Sequence, residues 1–336
     1  MVSDSPLVTV FMAAYNARNY IGESIKSILS QTFPDFELLI VDDGSVDDTL
    51  SIVAAIRDSR IRVIRNIENR GLIFTRNLML TEARGQFLAI LDSDDVALPD
   101  RLEKQIEQFN KRPDLALIGG PAYIIDEQGK RTNEQIVVPS GTDKIKCEIL
   151  FYNTFVHSSI MIKRQVFVDM GGYKNYPLAE DYDLMIRISS NHEVENLESP
   201  IVEYRQHSHN ISKSQKENLD YNLLEIKKKQ LREMDIEPIE EYVTMLLSHP
   251  SITKMSLQEY ATFTSILIKQ NRAKMLYPKD RFKKQIFDLW YEAILYRPNK
   301  KAFLLLFKSP IFNWKSVELR QIRRSFKISF KKFLKN

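Results

Sequence analysis

"LVTVFMAAYNARNYIGESIKSILSQTFPDFELLIVDDGS", residues Leu7 to Ser45, contains the pattern that decides the fold. Its first nine residues form an almost unbroken apolar run, which is typical of a strand buried on both faces of a parallel sheet. Isoleucines at 21, 25 and 28 then recur at helical spacing, and "FELLIV" forms a second apolar run. Strand, helix and strand joined by short connections predict an open α/β sheet.

The same alternation continues through "IRVIRN", "GLIFTRNLMLTEA" and "QFLAIL", which predict a third strand, a helix and a fourth strand. Past Leu102 the pattern is looser, with strand-like runs in "LALIGG", "AYII" and "IVEYR" and a helix beginning near "AEDYDLM". From about residue 212 the segments are helical, with little strand signal. We therefore predict a first domain of residues 1–212 and a helical region of residues 213–336.

Carboxylates follow two of the predicted strands. Asp42 and Asp43 end the second strand, and Asp92, Asp94 and Asp95 follow the fourth. In open α/β sheets, ligands bind outside the carboxyl ends of the strands. Acids this close repel one another unless a cation or hydrogen-bond donors compensate, so the pattern favours a divalent cation site. The alternative is a set of solvated loops that cap the following helices.

The composition is that of a globular protein in a reducing compartment of the cell. A chain of 336 residues with 43% hydrophobic content is long enough for two domains with real cores. The single cysteine, Cys147, excludes an intramolecular disulfide framework and fits the cytoplasm. The N-terminus has no basic region before its short apolar run, and no apolar segment approaches the roughly 20 residues of a membrane span.

The C-terminus carries a concentrated positive charge. Residues 301–336 contain ten Lys or Arg and one acid, Glu318, and apolar residues recur every three or four positions at Leu319, Ile322, Phe326, Phe330 and Phe333. A basic amphipathic helix of this kind can lie on an anionic membrane surface, here the inner face of the cell membrane. The alternative is a helix packed on its own domain. No nucleic-acid recognition motif accompanies the charge, so we expect no nucleic-acid partner.

Five segments occur in an order that resembles a known family. They are "VFMAAYNARNYIGESIKSILSQTFPDFELLIVDDGSVDDT", "NRGLIFTRN", "LDSDDVALPDRL", "AEDYDLMIR" and "YRQHSHNIS". Together they resemble the family 2 glycosyltransferases, inverting enzymes with the GT-A fold, over roughly residues 7–212. The resemblance implies a Rossmann-like α/β fold with a mixed, mainly parallel sheet flanked by helices, followed here by a C-terminal helical appendage.

The resemblance also implies the reaction. Such an enzyme moves one sugar from a nucleotide diphosphate sugar, here expected to be UDP-linked, to a glycan or lipid-linked oligosaccharide. Asp43 matches the position that accepts the base N–H in members that bind uridine nucleotides, with Asp42 as the close alternative. Tyr15 is expected beside the base, and Arg76 resembles a nucleotide-contacting arginine. Ordinary roles for these residues are helix capping, half-buried packing and a surface cation.

A divalent metal, Mn²⁺ or Mg²⁺, is the expected cofactor, because oxygen ligands suit these ions and the departing diphosphate develops negative charge. By resemblance Asp94 contacts the metal directly. Asp92 or Asp95 takes the ribose or a metal-bound water, and the two remain interchangeable at this point. His207 is expected to reach the metal or the diphosphate, with His209 as the second choice.

"AEDYD" resembles the family motif whose aspartate is the general base, which assigns that role to Asp181. Glu180 would bind the acceptor or orient the base. The alternative is that these acids only complement the dipole at a helix N-terminus. Two further residues have open roles: His157 lines the acceptor site or packs in the core, and Arg205 pairs with phosphate or forms a salt bridge.

Other function classes lack their signatures. A dinucleotide-dependent oxidoreductase needs a Gly-x-Gly-x-x-Gly turn after the first strand, and "AAYNARNYIG" has none. The Gly-rich, basic N-terminal signature of a nucleotidyltransferase is also absent. The processive members of the resembled family carry Gln-x-x-Arg-Trp, which does not occur here, so one sugar is expected per encounter. The remaining rival is a catalytically inactive GT-A module that binds a nucleotide sugar or a glycan.

Overall fold

The computed structural model describes residues 5–208, 215–248, 250, 255–296, 304, 306–307, 312 and 317–333, with side chains up to residue 327. The chain divides into two compact units. The first comprises Met1–Ile145 and Asn153–Asn222, and the second comprises Lys146–Tyr152 and Leu223–Asn336. The first unit therefore continues past the expected boundary at residue 212. The second unit includes the seven residues Lys146–Tyr152, and no change of composition in the sequence sets this segment apart from the residues around it.

The first half of the first unit alternates strands and helices. Its elements are β1 (Val8–Ala14), α1 (Ile21–Leu29), β2 (Phe36–Asp42), α2 (Thr49–Ala55), β3 (Ile61–Arg65), α3 (Leu72–Asn77), α4 (Met79–Glu82), β4 (Phe87–Ile90), β5 (Val96–Ala97) and α5 (Arg101–Lys111). The strands and helices predicted between Leu7 and Leu102 are thus confirmed, except that the helix predicted in "GLIFTRNLMLTEA" is split into α3 and α4.

The following elements are shorter and less regular. They are β6 (Leu115–Gly119), β7 (Ala122–Ile125), β8 (Arg131–Ile136), α6 (Thr142–Glu148), a 3-10 turn at His157–Ser159, β9 (Met161–Lys163), α7 (Arg164–Asp169), α8 (Glu180–Asn191), β10 (Glu193–Asn196) and β11 (Val202–Arg205). The helix predicted near "AEDYDLM" begins at Glu180, so both acids of that motif lie in its first turn.

The strands form two sheets. The larger has the order β10-β6-β9-β4-β1-β2-β3, and the smaller has the order β5-β11-β7-β8. In the larger sheet β1 pairs in parallel with β2 and β4, whereas β9 runs antiparallel to β4 and β6. The prediction of a mixed, mainly parallel sheet is therefore confirmed. The strand order changes direction at β1, and in open α/β sheets such a point is where a ligand-binding crevice is expected, here beyond the carboxyl ends of β1 and β4.

The core of this unit explains why these strand ends are held rigidly. Val10 and Met12 of β1 are fully buried with Ile21, Ile25 and Ile28, which α1 presents on one side at helical spacing. Burying a side chain of this size contributes about 1.5–3 kcal/mol. Packing along the whole length of β1 and β2 therefore fixes the positions of the loops that follow them.

The second unit is helical. Its described helices are α9 (Lys216–Glu233, from residue 223 onward), α10 (Glu240–Leu247), α11 (Leu257–Lys274), α12 (Lys279–Tyr296) and α13 (Leu319–Phe333). The predicted helical appendage is thus confirmed in its helical character. Cys147 and Leu150 of the seven-residue segment pack in the same apolar cluster as Phe263, Phe287 and Trp290. Across the residues described, no helix has the length and apolar character required to cross a membrane.

Candidate active site

The loops after β1 and β2 form one edge of the crevice and are tied together. The backbone N–H of Asn16 donates to Ser45 Oγ at 2.9 Å, and Asn16 Oδ1 accepts from the backbone N–H of Val46 at 3.0 Å. Asn16 adopts a left-handed conformation with φ of 49°, which asparagine tolerates better than most residues. The adjoining Tyr15 is 48% exposed, so its ring is available at this edge of the crevice.

Asp43 organises the loop after β3. Its Oδ1 accepts hydrogen bonds from Asn66 Nδ2 at 2.7 Å and from the backbone N–H of Arg70 at 2.9 Å, and Oδ2 accepts from the N–H of Gly71 at 2.9 Å. A carboxylate oxygen can accept two hydrogen bonds. Among the described residues only the Gly71 donor reaches Oδ2, so this oxygen retains the capacity to accept one more N–H.

Gly44 permits this close approach of two loops. Its φ is +74°, and a Cβ at this position would lie 2.6 Å from the carbonyl carbon of Glu68. Any larger residue would push the loop after β3 away from Asp43. The neighbouring acid has a different role, because Asp42 is fully buried and accepts from the backbone N–H of Ser45 at 3.1 Å. Asp42 thus stabilises the turn, which leaves Asp43 as the better candidate for a base contact.

Arg76 joins two acids that are far apart in the sequence. Its Nη1 lies 2.5 Å from Glu180 Oε1, and its Nη2 lies 2.8 Å from Asp92 Oδ1. Arg76 is only 7% exposed, so the alternative of a surface helix cation is wrong. The expected contact with the nucleotide stays a prediction, since the described contacts of this guanidinium are with protein groups. The acid after β4 and the first residue of α8 are thereby held together.

The charges of this bridge reinforce one another. Burial alone would raise the pKa of Asp92, but the Arg76 guanidinium and His157 outweigh it and hold that pKa well below its usual range. Burial would likewise lower the pKa of Arg76, and Asp92 and Glu180 together raise it above its ordinary value. The pKa of Glu180 is nevertheless raised, because burial and Asp181 outweigh the attraction of Arg76. All members of the bridge therefore depend on the single arginine.

We expect Arg76→Met to lower the free energy of unfolding by about 3 kcal/mol, because it leaves Glu180 and the partly exposed Asp92 without their counterion. Urea unfolding followed by circular dichroism measures the change. Arg112→Met is the matched control, since Arg112 is 36% exposed and its pairs are surface pairs, expected to contribute about 1 kcal/mol or less. Equal losses for the two variants would contradict a structural role for the bridge.

His157 completes the surroundings of Asp92. Its Nδ1 lies 3.2 Å from Asp92 Oδ2, and its Nε2 lies 3.0 Å from the hydroxyl of Tyr173. The hydroxyl of Ser158 also donates to Asp92 Oδ2 at 3.2 Å. His157 thus lies within the acid cluster and helps to fix the orientation of Asp92. Its predicted place along the acceptor site remains a prediction.

Asp94 and His207 form the second pair of the cluster. His207 Nε2 lies 2.9 Å from Asp94 Oδ2, and the imidazole lies against the ring of Tyr20 with centroids 5.0 Å apart. The strand β11 ends just before His207 and brings it across to the loop after β4. His209, the second choice in this segment, lies outside the described residues.

Asp95 and Arg205 connect the loop after β4 to the end of β11. Asp95 is 1% exposed, and its Oδ1 accepts from the backbone N–H of Arg205 at 2.8 Å. The Arg205 side chain donates to the carbonyl oxygen of Asp94 at 2.8 Å and pairs with Glu23 at 2.6 Å. Asp95 is therefore placed as an anchor of β11, apart from the Asp94–His207 pair. The Arg205 contacts favour the salt-bridge alternative over phosphate binding.

The electrostatics of this region suit a cation. Burial and then Asp92 raise the pKa of Asp94, against the opposing effect of His207, and burial with Asp94 and Asp92 raises the pKa of Asp95 well above its usual range. These shifts indicate carboxylates with more negative charge than their protein partners compensate. Within the described part of the chain, no cluster of three or more His, Cys, Asp or Glu side chains is arranged to hold a metal. Asp94 and His207 bring a carboxylate and an imidazole together, which is at most part of a ligand set that oxygens from outside the protein would have to complete.

Asp181 lies in the first turn of α8, next to Glu180. Its Oδ2 accepts a hydrogen bond from Asn153 Nδ2 at 2.9 Å, and Oδ1 accepts from the backbone N–H of Tyr182 at 2.7 Å. Asp181 is partly exposed, whereas Glu180 is 2% exposed. The partly exposed, oriented acid of the two is therefore Asp181, and Glu180 is the acid that fixes its surroundings.

Three residues of this site received no role from the sequence. Asn153 orients Asp181, Tyr173 contacts His157, and Arg101 is fully buried with Nη2 donating to the carbonyl oxygen of Ile90 at 2.7 Å. Burial lowers the pKa of Arg101, and Asp95 and Asp92 oppose that shift, so its positive charge lies near the acid cluster. Arg101 follows Pro99 and Asp100 at the start of α5, so the sequence alone suggests an ordinary residue in the first turn of a helix. Only the three-dimensional contacts distinguish it.

Comparison with known proteins gives a consistent result. The model of the family described as "Glycosyl transferase family 2" matches residues 9–171. An uncharacterized glycosyltransferase of Haemophilus influenzae is 32% identical over 248 residues, which cover 67% of this chain and 77% of the relative. The UDP-Glc:alpha-D-GlcNAc-diphosphoundecaprenol beta-1,3-glucosyltransferase WfaP of Escherichia coli is 32% identical over 211 residues, which cover 61% of this chain and 80% of WfaP.

A solved structure has a similar fold. The crystal structure of S. aureus TarS 1-349 in complex with UDP-GlcNAc superposes with a TM-score of 0.58 and is 18% identical in sequence. The match covers 98% of this chain and 92% of that one. The predicted GT-A fold is thereby confirmed.

Proposed function

Because the chain belongs to glycosyl transferase family 2 and is a glycosyltransferase, as the sequence motifs predicted, we propose that it inverts the anomeric centre of a UDP-linked sugar during transfer. One observation carries this proposal. Arg76 binds Asp92, which follows a central strand, and Glu180, which precedes the candidate base Asp181. Asp92, an acid suited to the donor, and Glu180, the neighbour of the acid suited to the acceptor hydroxyl, are thus joined through one buried arginine.

The uridine base is proposed to bind between Tyr15 and Asp43. Tyr15 supplies a half-exposed aromatic ring at the edge of the crevice. Asp43 Oδ2 retains the capacity for one hydrogen bond and suits the N–H of uracil. WfaP is named as a glucosyltransferase that uses UDP-Glc, which supports UDP as the nucleotide for the present chain. Asp92 is proposed to contact the ribose or the sugar of the donor.

A divalent metal is proposed to bind at Asp94 and His207, without Asp95. A carboxylate with an imidazole suits Mn²⁺ better than Mg²⁺, and diphosphate oxygens and water would complete the coordination. When bound, the metal would act as a Lewis acid that offsets the charge of the departing diphosphate. Asp95 supports the site through the backbone of Arg205, and Asp92 is held by Arg76.

Asp181 is proposed to accept the proton of the acceptor hydroxyl. As the proton passes to the Asp181 carboxylate, the acceptor oxygen forms a bond to the anomeric carbon, and the bond from that carbon to the diphosphate breaks on the opposite face. The configuration is inverted, and no covalent intermediate with the enzyme forms. Asn153 directs Oδ2 of the base, and the buried Glu180–Arg76 pair prevents α8 from shifting away.

The proposed acceptor is a glycan or a lipid-linked oligosaccharide, and the proposed place of action is the inner face of the cell membrane. The name of WfaP contains a sugar linked to diphosphoundecaprenol, which is a membrane lipid carrier. An acceptor of that kind would require the enzyme to work at the membrane surface. The basic C-terminal segment fits such a location.

Nucleotide binding with and without Mn²⁺ tests this function. We expect UDP to bind at least tenfold more tightly with Mn²⁺ than with EDTA, and at least tenfold more tightly than CDP, because cytosine has no N–H at ring position 3 to donate to Asp43. Titration calorimetry with both nucleotides measures these ratios. Equal affinities for UDP and CDP would contradict the assignment of Asp43.

The transfer itself is tested with UDP-sugars. Release of UDP from a panel of UDP-sugars identifies the sugar, and an inverted product linkage is expected by nuclear magnetic resonance. A product that retains the donor configuration would overturn the proposed mechanism. Donor binding without any sugar transfer or hydrolysis would instead support the inactive-module alternative.

A further inference from the structure

The last helix, α13, has its polar and apolar sides in unusual places. An amphipathic helix of a globular domain normally buries its apolar side. In α13, however, Gln321 is 6% exposed and Ser325 is fully buried, whereas Leu319 is 73% exposed and Phe326 is 55% exposed. The side that faces its own domain is therefore polar in part, and the outer side carries large apolar groups.

One hydrogen bond joins α13 to the neighbouring helix α12, and two more lie within its own segment. Gln321 Nε2 donates to Asp288 Oδ1 of α12 at 2.9 Å, and Gln321 Oε1 accepts from the backbone N–H of Glu318 at 2.9 Å. The Ser325 hydroxyl donates to the carbonyl oxygen of Gln321 at 2.7 Å. A rotation that buried Leu319 and Phe326 would break the bond between Gln321 and Asp288. It would also turn Arg323, which lies between the two apolar residues, toward the apolar cluster of this unit.

The outer side of α13 is also strongly basic. Arg320, Arg323, Arg324 and Lys327 are exposed, and the side chain of Arg320 is 86% exposed. Arg320 lies 3.6 Å from Glu318, but Arg323, Arg324 and Lys327 form no salt bridge within the described residues. Leu319 and Phe326 are seven residues apart, about two helical turns, so they lie on the same side with Arg323 between them.

We propose that the outer face of α13, formed by Leu319, Arg323, Arg324, Phe326 and Lys327, binds the surface of an anionic lipid bilayer. This rests on the proposed function in one respect, namely that the acceptor is carried by a membrane lipid. Large apolar side chains flanked by Lys and Arg match the boundary between anionic headgroups and acyl chains. The charge complementarity favours a lipid surface over a protein partner, since no acid interrupts the face between Leu319 and Lys327. Phe330 and Phe333, which the sequence pattern assigned to the apolar side of the same helix, lie beyond the described side chains.

Sedimentation of the full-length chain with vesicles tests this inference. We expect binding to vesicles of phosphatidylcholine with 30% phosphatidylglycerol, and little binding to pure phosphatidylcholine. The variant Arg323→Ala/Arg324→Ala/Lys327→Ala should weaken binding roughly a hundredfold, since each basic residue near the surface contributes roughly a fivefold factor. The variant Leu319→Ser/Phe326→Ser should also weaken binding, and 0.5 M NaCl should release the wild-type chain.

A second triple variant controls for net charge. Lys269→Ala/Arg272→Ala/Lys279→Ala removes the same charge from exposed positions of the same helical unit and should leave vesicle binding unchanged. If both triple variants lose binding equally, or if neither does, the assignment to the α13 face is overturned. Self-association through this face, with no affinity for vesicles, would also overturn it.

The result of the vesicle-binding test can be distinguished from the result of the tests of sugar transfer. UDP binding by the α13 variants should match that of the wild type, because none of the changed residues lies in the unit that carries the candidate site. Vesicle binding with the expected pattern but no sugar transfer would refute the proposed function alone. Sugar transfer without vesicle binding would refute the lipid contact alone.

Discussion

Replacement of Asp181 by asparagine is expected to reduce the rate of sugar transfer about a thousandfold while donor affinity changes by less than about twofold. An amide has nearly the shape of the carboxylate but cannot accept a proton at neutral pH, and general base catalysis contributes roughly 10²–10⁴-fold. The hydrogen bond from Asn153 to Asp181 Oδ2 orients this side chain, and its loss is not expected to change the donor site. Steady-state kinetics with saturating acceptor, together with calorimetry with the UDP-sugar, measure the two quantities.

Asp169→Asn is the matched control for this variant. Asp169 lies in the same unit at the end of α7, and its exposed carboxylate accepts from Gln165. The control should transfer sugar at the wild-type rate. Retention of more than about a tenth of the activity in Asp181→Asn would remove the base assignment. A large loss of donor affinity would reassign Asp181 to donor binding.

Replacement of Asp94 by asparagine is the second large effect that we expect. The Mn²⁺-dependent part of UDP binding should disappear, and kcat/KM should fall at least a thousandfold, because a neutral amide is a poor ligand for a hard divalent cation. Calorimetric titration with UDP, in the presence and absence of Mn²⁺, measures the loss directly. His207→Ala should show the same kind of loss with a smaller magnitude, because one oxygen ligand remains.

An exposed aspartate again supplies the control. Asp114 pairs with Arg112 at the surface, and Asp114→Asn should keep both the affinity for UDP and its dependence on Mn²⁺. If Asp94→Asn also keeps that dependence, the metal is not held at Asp94, and Asp95 becomes the next candidate. Such a result would mean that Asp95 turns away from the Arg205 backbone when the donor binds.

The sequence was most informative where local chemistry determines the structure. The apolar runs of β1 and β2 have no other stable place than the middle of a parallel sheet, so their ends, with Asp42 and Asp43, were predictable. The acids after β4 and at the start of α8 were equally predictable as loop and helix-terminal residues. Their grouping in space followed from the topology of the sheet and from the motif order.

Long-range pairing was not predictable in the same way. Arg76 is a basic residue in an ordinary helix, and only the folded chain brings it between Asp92 and Glu180. The same holds for Asp95, whose motif is shared with Asp94 but whose carboxylate is directed to the backbone of β11. The spacing of residues in the sequence indicates which loop or helix carries a side chain. Its hydrogen-bond or ion-pair partner depends on residues about a hundred positions away. The antiparallel direction of β9 between β4 and β6 escaped prediction for a related reason, since a strand-like pattern gives neither the direction of a strand nor its neighbours.

The segment Lys146–Tyr152 has a consequence for any attempt to shorten or exchange the C-terminal third of the chain. Cys147 and Leu150 pack with the helices that follow residue 223, although 70 residues of the catalytic unit intervene. A fragment that stops at residue 222 would leave these side chains exposed to water, and an isolated fragment from 223 onward would have a gap in its interior. A chimera between relatives must therefore import this short loop along with the foreign helices, as one inseparable exchange.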